Sequence, residues 1–115
     1  MAGGPTAWRS CEVVRQLDVC RHPIPARRHI IPYLVVLQYD SVLERDGLVL
    51  APLVTPDRAL NSRLYPTFVV QGASLMLLTP AIGTIAKRLL RRPVMNLEEN
   101  RYRITSALDM LFAGS

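Results

Sequence analysis

The clearest strand pattern in this 115-residue chain is Pro32-Tyr-Leu-Val-Val-Leu-Gln-Tyr39, and it indicates a β fold. Its apolar residues are mainly β-branched or aromatic, which favours a pleated strand, and Asp40 then ends the run. On the N-terminal side, apolar and polar residues alternate over residues 13–20 well enough for an earlier strand. On the C-terminal side, residues 48–54 are nearly all apolar and predict a later strand. Residues 65–70 and 74–79 predict a hairpin around Gln71-Gly72. The pattern therefore predicts five short strands.

The C-terminal stretch Ile104-Thr-Ser-Ala-Leu-Asp-Met-Leu-Phe112 predicts an amphipathic helix. The apolar stripe that should face the core consists of Leu97, Ile104, Leu108, Leu111 and Phe112. Asn96 and Glu99 have the spacing of an approximate capping box, and Gly114 should close the helix. Together these elements predict a mainly β fold, a small antiparallel sheet or partly open barrel covered by a C-terminal helix.

The connecting segments are predicted with less regular structure. Thr55-Pro56 could open a short helix over residues 57–64, and residues 80–90 are ambiguous between a helical turn and an irregular crossing. Residues 21–31 contain two prolines and should form a protruding basic loop. Residues 1–13 show no periodicity, so we expect a flexible N-terminal extension followed by a single domain over residues 14–115.

The composition is that of a folded globular protein with a basic surface. Half of the residues are apolar, a fifth are charged and the net charge is +5, with thirteen arginines and one lysine. Such a surface suits an acidic partner, whether a carboxylate-rich peptide or phosphate. The densest basic cluster is Lys87-Arg88-Leu89-Leu90-Arg91-Arg92. It could bind phosphate, or it could be a solvated basic rim. The absence of interleaved aromatic residues, on which bases could stack, favours the rim.

Signatures of catalysis are absent from the sequence. There is no GxSxG, P-loop, HExxH or glycine-rich dinucleotide motif, so we expect no enzyme activity and no cofactor. Cys20, His22 and His29 could be written as a metal set, but a fourth ligand is missing, and we expect no metal site. Cys11 and Cys20 have no ligand spacing either, and a disulfide is not expected.

No targeting segment is expected. The N-terminus has no apolar run of signal-peptide length, which predicts a cytoplasmic protein. Residues 64–86 carry no charge and are long enough to span a bilayer. Pro66, Pro80 and the Gln71-Gly72 turn interrupt them, so we predict no membrane span.

Several strings together resemble the CcdB family of bacterial toxins in their order and spacing. They are Arg15-Gln-Leu-Asp-Val19, Ile31-Pro-Tyr-Leu-Val-Val-Leu-Gln38, Val49-Leu-Ala-Pro-Leu53, Leu64-Tyr65-Pro66 and Ala107-Leu-Asp-Met-Leu-Phe112. The resemblance covers most of the chain after residue 13. It implies a homodimer with a fold related to SH3-like barrels, of the type shared with MazF and Kid ribonucleases.

The resemblance also implies two partners. CcdB-like toxins bind the A subunit of DNA gyrase and trap its cleaved complex with DNA, and the antitoxin CcdA neutralises them. The pair represses its own operon, so operator DNA is expected as a partner only through the antitoxin complex. By position, the expected gyrase-binding residues are Ser41, Val42, Asp109, Phe112, Ala113, Gly114 and Ser115. The expected antitoxin-binding residues are Arg27, Arg28, Arg58 and Arg63.

The C-terminus departs from the family pattern. The best-known gyrase poisons of the family end in tryptophan-glycine-isoleucine, whereas this chain ends in Ala113-Gly114-Ser115. Two alternatives therefore stay open beside the toxin. The first is a non-toxic homologue that only binds an antitoxin. The second is a MazF- or Kid-like ribonuclease, for which His29 with Arg27 or Arg28 is the candidate catalytic cluster.

Overall fold

Seven strands and a C-terminal helix, α1, are found in the computed structural model, which describes residues 14–38 and 47–114. The helix spans Arg101–Ala113 and follows a 3-10 turn at Glu98–Asn100. The strands are β1 (Asp18–Arg21), β2 (Tyr33–Val36), β3 (Gly47–Val54), β4 (Thr67–Val70), β5 (Ala73–Leu77), β6 (Gly83–Ala86) and β7 (Met95–Asn96).

The strands form one antiparallel sheet in the order β4-β5-β3-β2-β1-β7, and β6 pairs with β3 beside this path. Tyr33 of β2 lies opposite Leu53 near the end of β3, whereas β6 pairs with the start of β3. The two edge strands approach each other, since Val69 of β4 and Met95 of β7 line the same groove. The predicted mainly β fold with one C-terminal helix is thus confirmed, and the barrel, which was expected to be partly open, is nearly closed.

Alternating side chains divide the core into two clusters on the two faces of the sheet. Val19, Val35 and Leu53 belong to the first cluster, which Leu97 and Ile104 close from the helical side. The residues between them on the strands point to the other face. That second cluster contains Val14, Cys20, Leu34, Val36, Leu48, Leu50 and Leu90.

The predicted hairpin around Gln71-Gly72 is confirmed, joining β4 to β5. Both turn residues have positive φ, 51° and 84°, as a two-residue turn matched to the strand twist requires. Residues 64–86, the uncharged stretch, are divided among β4, β5 and β6. In the described part of the chain, no helix has the length and apolar character needed to cross a membrane.

The predicted helix over residues 57–64 is wrong, because this segment forms successive turns. The Oδ1 of Asp57 accepts a hydrogen bond from the amide of Ala59 at 2.9 Å, and the Oδ1 of Asn61 accepts one from the amide of Arg63 at 2.8 Å. Side chains that bond to the backbone two residues ahead offer a local alternative to the helix.

The strand count was also wrong. Residues 80–90 contain β6 and a 3-10 turn at Lys87–Leu89, and β7 adds a further short strand. The first strand is shorter than residues 13–20, since Leu17 has a φ of 70° that breaks the extended run before β1. These strands depend on partners distant in sequence, which local pattern does not reveal.

The helix end is confirmed and its start is corrected. Gly114 adopts the left-handed conformation with φ 75°, and its amide donates to the carbonyl of Met110. The Oδ1 of Asn96 accepts a hydrogen bond from the amide of Glu98 at 2.7 Å, but no side chain caps the 3-10 turn or α1. The reciprocal capping box with Glu99 is therefore wrong.

The predicted apolar stripe is partly correct. Leu97 and Ile104 are buried, and Leu108 and Leu111 are half-buried. Phe112 is 75% exposed, which contradicts its place on the stripe. Eight residues of α-helix turn it about 80° away from Ile104, and its ring leaves the core.

Candidate partner-binding surface

The outer face of α1 carries an exposed stripe that ends at the C-terminal tip. Tyr102, Ser106, Asp109 and Ala113 follow one another at spacings of four, three and four residues, so they share this face. Tyr102 is 81% exposed, and Phe112 flanks the stripe at its far end. Two exposed aromatic side chains around a carboxylate are features of a surface that binds a partner.

The helix tip contacts the loop of residues 55–66, which joins β3 to β4. The Nδ2 of Asn61 lies 3.8 Å from the Sδ of Met110, one residue after Asp109. The loop is held from the other side by the buried Thr79, whose hydroxyl donates to the carbonyl of Leu64. The position of the loop relative to the tip is therefore set by contacts at both of its sides.

A groove of about 330 Å³ separates this loop from the middle of the helix. Its walls are Ser62, Arg63, Pro66 and Thr67 on one side and Tyr102, Arg103 and Ser106 on the other. Arg103 holds the two walls together. Its Nη2 donates to the carbonyl of Thr67 at 2.7 Å, and its guanidinium lies 4.6 Å from the centroid of the Phe68 ring.

Two of the predicted antitoxin-binding arginines lie on this loop. Arg63 lines the groove beside the helix, and Arg58 lines an adjoining groove of about 450 Å³ together with Tyr65 and Met76. Arg58 and Arg63 are both exposed. Apolar and cationic groups thus alternate along the loop, which suits a peptide with acidic and apolar residues.

The other two, Arg27 and Arg28, lie on the loop of residues 22–32 between β1 and β2. Arg28 is partly committed to its own loop, since its Nε donates to the carbonyl of His22 at 2.7 Å. Arg27 is exposed on a 3-10 turn. Because Arg21, Tyr33 and Leu53 are in register across β1, β2 and β3, this loop and residues 55–66 leave the sheet at the same end.

The loop of residues 22–32 also has electrostatic and apolar features that were not predicted from the sequence. Burial, and then the nearby charges of Arg27 and Arg28, lower the pKa of His22. The Nδ1 of His22 accepts a hydrogen bond from the amide of Ile24 at 3.1 Å, which requires the neutral ring. Ile24 and Ile30 are exposed. Apolar residues between prolines and arginines were the signal that could have identified them.

Four predicted gyrase-binding residues come together at the helix tip: Asp109, Phe112, Ala113 and Gly114. The remaining three, Ser41, Val42 and Ser115, lie outside the described residues. Cys11 and the N-terminal extension predicted for residues 1–13 lie outside the described residues as well. The position of the tip beside Asn61 was not visible in the sequence.

The candidate metal and ribonuclease residues lie on β1 and on the loop of residues 22–32. Within residues 14–38 and 47–114, no group of three potential metal ligands is found. His29 is exposed, and no carboxylate among the described residues bonds to it. Cys20 is buried, and its burial, with a smaller effect of Asp18, raises the pKa of the thiol to about 12, which opposes thiolate chemistry.

Comparison with known proteins identifies the family. No curated protein matches the sequence significantly. The family model described as CcdB protein matches residues 16–114, which is nearly the whole chain and includes the sheet, the basic loops and α1. The resemblance drawn from the five sequence strings is thereby confirmed: the chain belongs to the CcdB protein family.

Proposed function

We propose that the protein is the toxin of a type II toxin-antitoxin module that binds the A subunit of DNA gyrase through the tip of α1. Membership of the CcdB protein family supports a toxin of a toxin-antitoxin system. The observation that carries the gyrase-binding proposal is the exposed tip, where Phe112 is 75% exposed beside Asp109 and Ala113. In this proposal the protein acts by binding and catalyses no reaction itself.

The tip would act by contact. Phe112 supplies apolar area that becomes buried against the partner, and the Asp109 carboxylate supplies a charge for a cationic group on gyrase. Gly114 turns the backbone out of the helix in a left-handed conformation that other residues adopt less readily. Ser41, Val42 and Ser115 remain proposed members of the same surface.

The antitoxin would bind along the arginine-bearing loops. The grooves lined by Arg58 and Arg63 are the proposed site for a CcdA-like acidic segment, and Arg27 and Arg28 lie at the same end of the sheet. Since Asn61 on that loop contacts Met110 at the tip, a peptide in these grooves would reach the gyrase-binding surface. Direct overlap with that surface is therefore the route of neutralisation that we propose. Operator DNA would be reached through the antitoxin complex.

The proposed assembly is a homodimer in the cytoplasm. Some large apolar side chains of the described residues stay exposed in the single chain, among them Ile30 and Val69, so a second copy would bury further apolar area. Light scattering at micromolar concentration should give the mass of two chains. A monomeric mass across that concentration range would contradict the dimer.

The tip also favours a second candidate, a non-toxic homologue that binds the antitoxin alone. Ala113 is exposed at the position where the best-known poisons place tryptophan, and its methyl group offers little area for an interface. The arginine-lined grooves do not depend on this residue. The ribonuclease alternative gains no support from the described contacts of His29.

Growth assays can separate these candidates. The chain is expressed in cells carrying either normal or toxin-resistant gyrase, and Phe112→Ala is compared with Leu89→Ala, an exposed apolar residue far from the tip in sequence. A gyrase-directed toxin should arrest growth only in cells with normal gyrase. Phe112→Ala should relieve that arrest, and Leu89→Ala should not. Arrest in both strains would refute gyrase as the target. Growth in both, with co-purification of the antitoxin, would support the non-toxic homologue.

A further inference from the structure

A basic segment crosses the face of the sheet opposite α1. Residues 87–92, the crossing segment, begin after Ala86, which pairs with Gly47 in β3. The chain rejoins the sheet at Val94, whose amide donates to the carbonyl of Val19 in β1. Leu90 anchors the segment because it is buried in the second core cluster. The crossing segment therefore has a fixed attachment to the sheet.

Three arginines point outwards around this anchor. Arg88, Arg91 and Arg92 are exposed, and none of them forms a hydrogen bond or ion pair with another described residue. Arg101 differs, since its guanidinium lies 2.7 Å from the carboxylate of Glu98. The sequence from residue 58 to residue 97 contains no aspartate or glutamate. The guanidinium groups of Arg88, Arg91 and Arg92 are therefore not bonded to any carboxylate among the described residues.

We propose that the crossing segment binds the phosphate backbone of double-stranded DNA. Guanidinium groups match phosphate oxygens in charge and geometry, and three of them within five residues can contact successive phosphates. Residues 83–96 contain no aromatic side chain on which unpaired bases could stack, so a duplex fits better than a single strand. Leu89 is the exposed apolar residue of the segment, and one such side chain gives little insertion into a membrane.

This surface is separate from the loops proposed for the antitoxin. The crossing segment starts beside Gly47, at the beginning of β3, whereas residues 55–66 start after Val54, at its end. DNA and antitoxin can therefore be bound at different parts of the molecule. The contact adds to the proposed function without depending on it, because the chain alone carries all three arginines.

The salt dependence of binding to a labelled duplex of arbitrary sequence tests the proposal. Three phosphate contacts predict a slope of about −2.7 in a plot of log K against log salt, or about a 40-fold loss of affinity between 50 and 200 mM salt. The variant Arg88→Gln/Arg91→Gln/Arg92→Gln should lose this slope and most of the binding. Its matched control, Arg27→Gln/Arg58→Gln/Arg63→Gln, removes the same charge and should keep affinity within about twofold.

Several results would overturn the proposal. Equal losses in the two triple variants would show that net charge alone is responsible. Tighter binding to a single strand of the same length, or binding to anionic phosphatidylglycerol vesicles without binding to the duplex, would assign the segment to another partner. Circular dichroism melting of each variant should match the wild type, because the substituted side chains are exposed or lie on loops.

Discussion

Restoring an aromatic anchor at the helix tip should convert a weak gyrase ligand into a strong one. The perturbation is Ala113→Trp together with Ser115→Ile. Ala113 is the last residue of α1 and is exposed, and it lies within about 40° of Asp109 and Tyr102 around the helix axis. An indole at this position points along the exposed stripe, where the whole of its area stays available for a partner.

The magnitude follows from the area that the partner can cover. A tryptophan buries roughly 150–250 Å² at an interface, and at about 25 cal/mol per Å² that area gives an upper limit of roughly 4–6 kcal/mol. Ordering the side chain and desolvating its surroundings reduce this value, and tryptophan anchors commonly contribute about 2 kcal/mol or more. A net gain of about 2 kcal/mol lowers Kd about 30-fold.

Direct titration against the gyrase A subunit measures the effect. Wild type should bind weakly, and the double variant should bind about 30-fold more tightly. Ala81→Trp is the matched control, since Ala81 is exposed in the turn after β5 and should give no gain. Strong binding by the wild type, or an unchanged Kd in the double variant, would show that the residues of the gyrase-contacting surface have been assigned wrongly.

Three further predictions concern the groups that position the two loops and the core. Thr79→Val removes the hydroxyl that bonds to the carbonyl of Leu64, so the free energy of unfolding should fall by about 1 kcal/mol. Thr79→Ser keeps the hydroxyl and should retain most of that stability in denaturant titrations. Because the pKa of His22 is lowered from 6.5 in the folded protein, the unfolded chain binds this proton more tightly. The free energy of unfolding should therefore fall as the pH drops through 6.5, and it should fall less in His22→Gln. Identical pH profiles of wild type and variant would contradict the burial of the ring. In a Cys11→Ser variant, Cys20 should resist thiol reagents in the native protein and react after unfolding, since it is buried and its pKa is about 12; rapid native labelling would disprove this.

Local pattern was sufficient for the elements whose structure depends on their own residues. The β-branched core of β2, the Gln71-Gly72 turn and the Gly114 helix end were all predicted, because side-chain alternation, positive φ and helix closure are properties of short segments. The resemblance to the family added the expectation of a barrel. The C-terminal helix and the basic loops could therefore be predicted from the sequence.

The remaining features depend on contacts between distant residues. β6 and β7 are short strands that exist through pairing with β3 and β1, and the turns of residues 57–64 replaced a predicted helix because Asp57 and Asn61 bond to nearby amides. The contact of Asn61 with Met110 spans 49 residues of sequence, and it joins the two proposed partner surfaces. Such contacts arise when the sheet brings its loops together, and no local periodicity encodes them.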